Sequence, residues 1–258
     1  MHFISGLPRS GSTLLAALLR QNPAFHASFQ SPLGQMFVTL HEQMSHRTNE
    51  AACLMTDEQR MRCLRWLFSA YYADAFADPM IVEVFDTNRR WCAYISTLSV
   101  LFPTCKVIAC VRSPRAIIDS FERLVRAHPL EISHIIGAPN TTVYERLPIY
   151  LQAPGIFGYA FNALRDAYYG PDKERLIIVN YDNLAQRPLL TLEQLHAQLG
   201  IPSFAYDIEN VETPPGADAF DRSLGLPGLH AVKPQVTFEP RKSILPPDIV
   251  ARIPVPFW

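Results

Sequence analysis

The residues with the clearest chemical potential lie in positions 3–13, where a short apolar run leads into a glycine-containing loop that opens a helix. The first N–H groups of a helix lack intrahelical partners and carry the positive end of the helix dipole, so they bind anions. Gly6 and Gly11 permit the backbone conformations that such a loop needs. An ordinary serine-capped turn is the alternative. The residues predicted to hold an anion are Arg9, Ser10, Gly11, Ser12 and Thr13, with hydroxyl donors from the two serines and the threonine.

A second polar group follows a later apolar run. Arg112 comes directly after Lys106–Val111, and Ser120 lies eight positions further on, two turns into a predicted helix. Open α/β sheets bind ligands at the carboxyl ends of their strands, so Arg112 is placed to meet a ligand. Taken singly, Arg112 could cap a helix and Ser120 could be a solvated serine. Their occurrence together with the first loop, in this order, favours a shared anion site.

Short apolar runs alternate with longer helical patterns along the chain. We therefore expect a sheet, flanked by helices, to position these side chains. That alternation is typical of βαβ units. The fold class predicted is α/β, a three-layer α/β/α arrangement with a mostly parallel central sheet. The predicted strands are His2–Gly6, Ile81–Phe85, Lys106–Val111 and Arg175–Asn180. The predicted helices are Thr13–Arg20, Asp57–Ala77, Trp91–Leu101, Arg115–Arg126, a stretch near Phe157–Tyr169, and Pro188–Leu199.

A single domain is predicted for residues 1–258, with a proline-rich C-terminal wrap at about 212–258. This last part holds nine of the chain's 22 prolines and shows little periodicity. Its apolar end, Ile253–Trp258, is expected to pack on the sheet domain.

The composition narrows the functional classes. With 48% hydrophobic and 18% charged residues, the bulk of the chain is not disordered, and no uninterrupted apolar run predicts a membrane span. A net charge of -1 weighs against nucleic acid as the main partner. Five cysteines without a CxxC pair, and a glycine turn already at Gly6, indicate a reducing, cytoplasmic compartment. The oligomeric state is not predicted.

The first loop also carries a family resemblance. The spacing from Gly6 to Gly11 equals that of a Walker A loop, but Ser12 stands where that loop needs lysine. The pattern P-R-S-G-S-T-L at residues 8–14 resembles the 5′-phosphosulfate loop of sulfotransferases that use 3′-phosphoadenosine 5′-phosphosulfate (PAPS). In that family a basic residue precedes S-G-[ST]-T. Arg112 and Ser120 resemble the family's 3′-phosphate motif, which has the same eight-residue spacing.

The resemblance implies a P-loop-containing nucleotide hydrolase-like sulfotransferase fold. It also implies transfer of a sulfuryl group from PAPS to a hydroxyl acceptor, with release of 3′-phosphoadenosine 5′-phosphate (PAP) and without a metal. Arg9 would then stabilise the charge that develops on the departing phosphate. The acceptor could be a peptidyl tyrosine, a carbohydrate or a small alcohol. A P-loop-type small-molecule kinase and a catalytically inactive PAP- or PAPS-binding module are the alternatives.

Two weaker matches extend the resemblance along the chain. Tyr181 ends a strand that is similar to the Y-E-x-L strand of these enzymes, including the tyrosylprotein sulfotransferases, which implies contact with the nucleotide. A buried structural tyrosine is the alternative. Residues 240–248 resemble a bacterial segment that ends in I-L-P-P-D, so Arg241 or Lys242 could close over the cofactor. A solvated basic pair at a turn is the alternative there.

The resemblance leaves the general base open. The glutamate that tyrosylprotein sulfotransferases carry after the first helix falls near Gln30, which cannot take a proton. Asp86 at the end of the second predicted strand is the preferred base, with Arg89 or Arg90 in place of the family's lysine. A salt-bridge network among these three is the alternative, and His26 is a third candidate base. The segments Ser31–Asn49 and Ser133–Gly155 are expected to shape the acceptor pocket.

Overall fold

The computed structural model describes residues 1–45, 49–128 and 142–258. Within these ranges five strands form one parallel sheet in the order β2-β3-β1-β4-β5. The strands are β1 His2–Gly6, β2 Phe25–Ala27, β3 Glu83–Thr87, β4 Val107–Val111 and β5 Leu176–Asn180. The α/β class and the parallel sheet are therefore as predicted.

The sheet changes direction beside its first strand. The chain passes from β1 to β2 and β3 on one side and then crosses to β4 and β5 on the other. Gly6 at the end of β1 lies opposite Cys110 of β4. Ligands bind at the carboxyl ends of such sheets, where the strand order reverses. The loops that follow β1 and β4 therefore flank the predicted binding crevice.

Helices cover both faces of the sheet. The α-helices of the described residues are α1 Ser12–Leu19, α2 Leu33–Gln43, α3 Asp57–Tyr71, α4 Ala73–Ala77, α5 Ile95–Leu101, α6 Pro114–Ala127, α7 Val143–Leu151, α8 Gly158–Tyr169, α9 Tyr181–Gln186, α10 Pro188–Leu199, α11 Ala217–Ser223 and α12 Pro247–Ala251. The helix predicted over residues 57–77 is divided at Tyr72, and the one predicted over 91–101 begins as a 3-10 turn at Trp91–Tyr94. Successive residues of β1 face opposite layers. Phe3 joins the core under α2 and α3, whereas Ile4 joins the core under α1 and α10.

Two strand predictions needed correction. The edge strand β2 is three residues long, too short to stand out as an apolar run, and it was missed. The second predicted strand, Ile81–Phe85, is displaced by two residues, because β3 runs from Glu83 to Thr87. Asp86 therefore lies inside the strand, and its direction is set by the alternation of the pleat.

The C-terminal region crosses the sheet domain with little regular structure beyond α11 and α12. Ile249 is fully buried, and Phe257 packs against Phe161 of α8 with ring centroids 5.1 Å apart. Within the described ranges, no helix combines the length and apolar character needed to cross a membrane. Parts of the two segments assigned to the acceptor pocket, residues 46–48 and 133–141, lie outside the described residues.

Candidate functional site

Gly6 lets β1 approach β4 at the start of the phosphate loop. Its φ is 102°, and a Cβ there would lie 2.2 Å from the carbonyl oxygen of Cys110. The next residue, Leu7, donates its N–H to that carbonyl at 2.9 Å. The loop is thus anchored to β4, the strand that carries the second motif.

Gly11 forms the boundary between the loop and α1. It is the N-cap residue with a φ of 87°, and no side chain caps the helix. The first N–H groups of α1, including those of Ser12 and Thr13, are therefore left for a ligand. A Cβ on Gly11 would lie 2.6 Å from the Tyr181 ring, so the tyrosine closes tightly over the loop.

The side chain of Ser10 has a structural role. It is 1% exposed and donates its hydroxyl to the carbonyl of Leu7 at 2.7 Å, within the loop itself. The single hydroxyl proton of Ser10 is thus used within the loop, and the predicted contact of Ser10 with a ligand stays a prediction. Arg9 has a φ of 58°, a strained value for a residue with a side chain, and such strain is concentrated at functional sites.

The guanidinium of Arg9, in the loop after β1, forms hydrogen bonds with α6 and with the C-terminal region. Its Nε donates to the hydroxyl oxygen of Ser120 in α6 at 3.2 Å, and its Nη1 donates to the carbonyl of Leu229 in the C-terminal region. In this arrangement Arg9 lies between the two predicted phosphate motifs. Ser120 accepts from Arg9 and keeps its own hydroxyl proton for another acceptor.

Arg112 leaves β4 at the predicted position and lies over the ring of Tyr181, with its guanidinium carbon 4.3 Å from the ring centroid. Its Nε is buried and has no hydrogen-bond partner among the described residues. A buried donor without a partner costs about 1–3 kcal/mol. An anion bound here would satisfy it.

Positive charge accumulates around the loop. Burial and the neighbouring Arg112 lower the pKa of the Arg9 guanidinium, Asp221 raises it, and Arg241 lowers it further. Arginine stays charged throughout the accessible pH range, so mutual repulsion persists in the protein. An anion with several charges would relieve that repulsion.

One cavity of about 350 Å³ brings most of the predicted binding residues together. The predicted residues that line it are Arg9, Gly11, Ser12, Thr13, Arg112, Ser120, Tyr181 and Arg241. Lys242 is exposed and does not line it. Its carbonyl accepts a hydrogen bond from Arg123 at 2.7 Å. Of the predicted basic pair, Arg241 lines the cavity, and a contact of Lys242 with a cofactor stays a prediction.

The C-terminal segment is fastened to α6 beside Ser120. Asp119 accepts hydrogen bonds from the Ile244 N–H at 2.7 Å, the Ser243 hydroxyl at 3.0 Å and Arg123 at 2.7 Å. Burial acts to raise the pKa of Asp119, but these hydrogen bonds outweigh burial and lower the pKa below its ordinary value. The carboxylate form is therefore the one that holds this segment.

Asp86 is not placed to act as the base. It is fully buried, and its two oxygens accept hydrogen bonds from Tyr72 at 2.5 Å and Trp91 at 2.6 Å. Burial raises the pKa of Asp86, but Asp86 is not among the residues that line the cavity. The adjacent residue, Thr87, points to the other side of the strand. Thr87 lines the cavity, and its buried hydroxyl oxygen has no partner among the described residues.

The other predicted residues around the base divide into two groups. His26 packs against Tyr72 with ring centroids 5.3 Å apart and does not line the cavity, so it too is misplaced for catalysis. Gln30 and Arg89 do line it. Arg90 instead donates to the side-chain oxygen of Gln35 at 2.9 Å. The expected salt bridges of Asp86 with the two arginines are not formed.

A second cavity of about 720 Å³ adjoins the first. The residues that line both are Phe29, Gln30, Arg89, Ile156 and Phe220. The second cavity adds Arg90 and Tyr159, and none of its described lining residues is acidic. The two cavities therefore meet at these shared residues.

Sequence reasoning missed His230, which lines the first cavity and whose Nδ1 lies 2.5 Å from the buried carboxylate of Asp221. Asp221 lies in the short helix α11, and His230 lies in the irregular segment that follows it. No motif or periodicity marks them, and only the folded chain brings them to the site.

Comparisons with known proteins agree with this geometry. A family model described as "Sulfotransferase family" matches residues 2–205. Nodulation protein NoeE of Sinorhizobium fredii (strain NBRC 101917 / NGR234) is 26% identical over 217 residues, which cover 77% of this chain and 49% of that protein. The chain therefore spans about half the length of this curated relative.

Two solved structures share the fold. The sulfotransferase domain of the Synechococcus PCC 7002 olefin synthase has a TM-score of 0.50 and 19% identity, covering 80% of this chain and 74% of that one. The sulfotransferase domain from the curacin biosynthetic pathway has a TM-score of 0.50 and 20% identity, covering 80% and 75%. Because the family model covers most of the sequence, the chain belongs to the sulfotransferase family.

Proposed function

We propose that this protein transfers a sulfuryl group from PAPS to a hydroxyl acceptor and releases PAP. The observation that carries the proposal is the meeting of two phosphate motifs in one cavity, at the carboxyl ends of neighbouring strands. The 5′-phosphosulfate would lie on the N–H groups of Ser12 and Thr13 beside Arg9. The 3′-phosphate would lie at Arg112 and Ser120.

The residues present fit such a ligand. The N-terminus of α1 carries no side-chain cap, and the buried Nε of Arg112 has no hydrogen-bond partner among the described residues, which a phosphate oxygen would supply. Tyr181 contacts Gly11 and Arg112 and would border the nucleotide. Arg241, at the cavity edge, adds a further positive charge within the segment held by Asp119.

Sulfuryl transfer depends on positioning and on charge stabilisation, as phosphoryl transfer does. Arg9 and the N-terminus of α1 would stabilise the charge that develops on the departing phosphate. Arg89 lies at the junction of the two cavities and would face the transferred group, and the hydroxyl of Thr87 would donate to it. The second cavity would hold the acceptor.

The proposal is tested by calorimetry with PAP, followed by transfer of labelled sulfate from PAPS into an extract of the native cell. The labelled product identifies the acceptor as a peptide, a carbohydrate or a small alcohol. Absence of PAP binding overturns the proposal. Transfer that persists in EDTA supports it, whereas magnesium-dependent phosphate transfer from ATP would assign a kinase instead.

We further propose that residues 1–258 form one domain that works in the cytoplasm. The five cysteines are free, and Cys53 and Cys63 are exposed, which suits a reducing compartment. Limited proteolysis that releases a stable fragment ending near residue 212 would contradict the single domain. Cell fractionation tests the compartment.

A further inference from the structure

His230 and Asp221 form a close pair that neither phosphate motif uses. Besides the contact to Nδ1, the backbone N–H of His230 donates to Asp221 Oδ2 at 2.7 Å. An ionised carboxylate can only accept hydrogen bonds, so Nδ1 carries the proton of the neutral imidazole. The other ring nitrogen, Nε2, then has a free lone pair. No described residue forms a hydrogen bond with Nε2.

His230 lines the first cavity beside its junction with the second. The ring of His230 packs against Phe29 and Phe220, with centroid distances of 5.4 Å and 5.6 Å. Both phenylalanines line both cavities. The preceding residue, Leu229, accepts the hydrogen bond from Arg9. His230 therefore lies in the proposed donor site, next to Arg9, and contacts two residues that also line the proposed acceptor site.

Few groups in the cavities can accept a proton. Among the described lining residues, only His230 and Glu239 carry an imidazole or a carboxyl group. Glu239 is ion-paired with Lys233 at 2.6 Å, and both side chains are more than half exposed. Gln30 lies at the junction but has no basic atom. His230 alone combines a free ring nitrogen with a place beside the junction.

We propose that His230 is the general base of the sulfuryl transfer and that Asp221 positions its ring, an inference that rests on the proposed function. Nε2 takes the proton from the acceptor hydroxyl as the acceptor oxygen forms its bond to sulfur. The bond between sulfur and the 5′-phosphate oxygen breaks, and its electron pair leaves with PAP. Asp221 stabilises the resulting imidazolium, which returns the proton to water after product release.

The decisive variant is His230→Asn, because asparagine keeps an N–H donor for Asp221 and removes the basic Nε2. General-base catalysis contributes about 100- to 10,000-fold, so kcat should fall by about that factor. The Kd of PAP should stay within about twofold. His26→Asn is the matched comparison, since His26 also packs against an aromatic ring but lines neither cavity, and its kcat should be unchanged.

The rate is measured with the fraction of the cell extract that the wild type labels, and hydrolysis of PAPS, with water as acceptor, is followed in parallel. Asp221→Asn should lower kcat without raising the acceptor's KM, because it disturbs only the ring's orientation and tautomer. Free imidazole should restore part of the rate to His230→Ala. Rescue of this kind would not occur if the histidine only held the C-terminal region in place.

Three results would overturn the inference. They are full activity in His230→Asn, loss of PAP binding in parallel with loss of rate, and failure of imidazole to restore any activity. Failure of the proposed function is recognised separately, because calorimetry with PAP needs no acceptor and no base. If the wild-type protein binds PAP but transfers sulfate to no acceptor, both the proposed sulfotransferase activity and the proposed role of His230 are overturned.

Discussion

Replacement of Arg112 with alanine should weaken binding of PAP far more than binding of adenosine 5′-phosphate, which lacks the 3′-phosphate. The guanidinium of Arg112 lies on the Tyr181 ring at the end of β4, and its buried Nε has no hydrogen-bond partner within the described part of the chain. The proposed 3′-phosphate supplies that partner. The variant therefore removes an interaction that only one of the two ligands can make.

The expected loss of PAP affinity depends on how far the charge of Arg112 is buried and on which residues share the phosphate with it. Truncation of one partner of a buried, hydrogen-bonded charge pair costs about 2–5 kcal/mol. Arg112 is partly exposed to the cavity, and Ser120 and Arg9 would share the phosphate, so the lower part of that range applies. A loss of about 2–3 kcal/mol corresponds to an increase of about 30- to 150-fold in Kd. Without a ligand, the substitution removes the cation–π contact, about 0.5–1 kcal/mol, but it also removes the unpaired buried Nε, so the variant should fold about as stably as the wild type.

Calorimetry at one fixed salt concentration measures the Kd values of PAP and adenosine 5′-phosphate for the wild type and for Arg112→Ala. Arg115→Ala is the control, because Arg115 is an exposed arginine three residues after Arg112, at the start of α6, and does not line the cavity. Its Kd values should match the wild type for both ligands. Equal losses for PAP and adenosine 5′-phosphate in Arg112→Ala would refute the assignment, because the two ligands share the 5′-phosphate and the adenosine and differ only in the 3′-phosphate.

Other substitutions test the remaining parts of the site. Gly11→Ala should weaken PAP binding and lower the free energy of unfolding by about 1–3 kcal/mol, measured by calorimetry and thermal denaturation. Gly216→Ala, at a similar φ of 83° in open space, should lower stability without changing PAP binding. Asp119→Ala should release the C-terminal segment, raise the Kd of PAP and cost about 1–3 kcal/mol of stability at neutral pH. Because the pKa of Asp119 is lowered, this stability difference should be complete at neutral pH and disappear in acid unfolding experiments as the pH falls through that lowered value. Arg90→Gln should raise the acceptor KM about two- to fivefold for a carboxylate-bearing acceptor and leave its neutral analogue unaffected, because the second cavity holds arginines and no described acidic residue.

The phosphate loop could be predicted because its chemistry is contiguous in the sequence. A strand, a glycine, a basic residue and a helix start follow one another within 13 residues, and each has a local physical meaning. Arg112 and Ser120 could be placed for the same reason, since a strand end and a helix face fix their directions. The exception was Ser10, whose hydroxyl turned inward, because a loop must satisfy its own carbonyl groups before it can bind a ligand.

The base could not be predicted in this way. A two-residue displacement of β3 placed Asp86 within the strand, and the pleat turned its carboxyl group into the core while Thr87 faced the cavity. Strand ends are poorly marked in sequence, so Asp86 was expected just beyond the strand, whereas the structure places it inside the strand, where the pleat fixes the direction of its side chain. His230 lies in an irregular segment after the short helix α11, where hydrogen bonds to the side chains of Asp221 and Arg9, and not periodicity, hold the backbone.

The same irregular region explains how a nearly neutral chain can hold a polyanion. The sheet positions the N-terminus of α1 and Arg112 on one part of the cavity, and the C-terminal region covers another part. Two contacts hold that region: Arg9 donates to the carbonyl of Leu229, and Asp119 accepts from Ile244 in the segment that carries Arg241. Repulsion among the three arginines weakens this arrangement when no anion is bound. Donor binding should therefore tighten the C-terminal region around the junction beside which His230 lies, which places base and acceptor together only after the sulfuryl donor has bound.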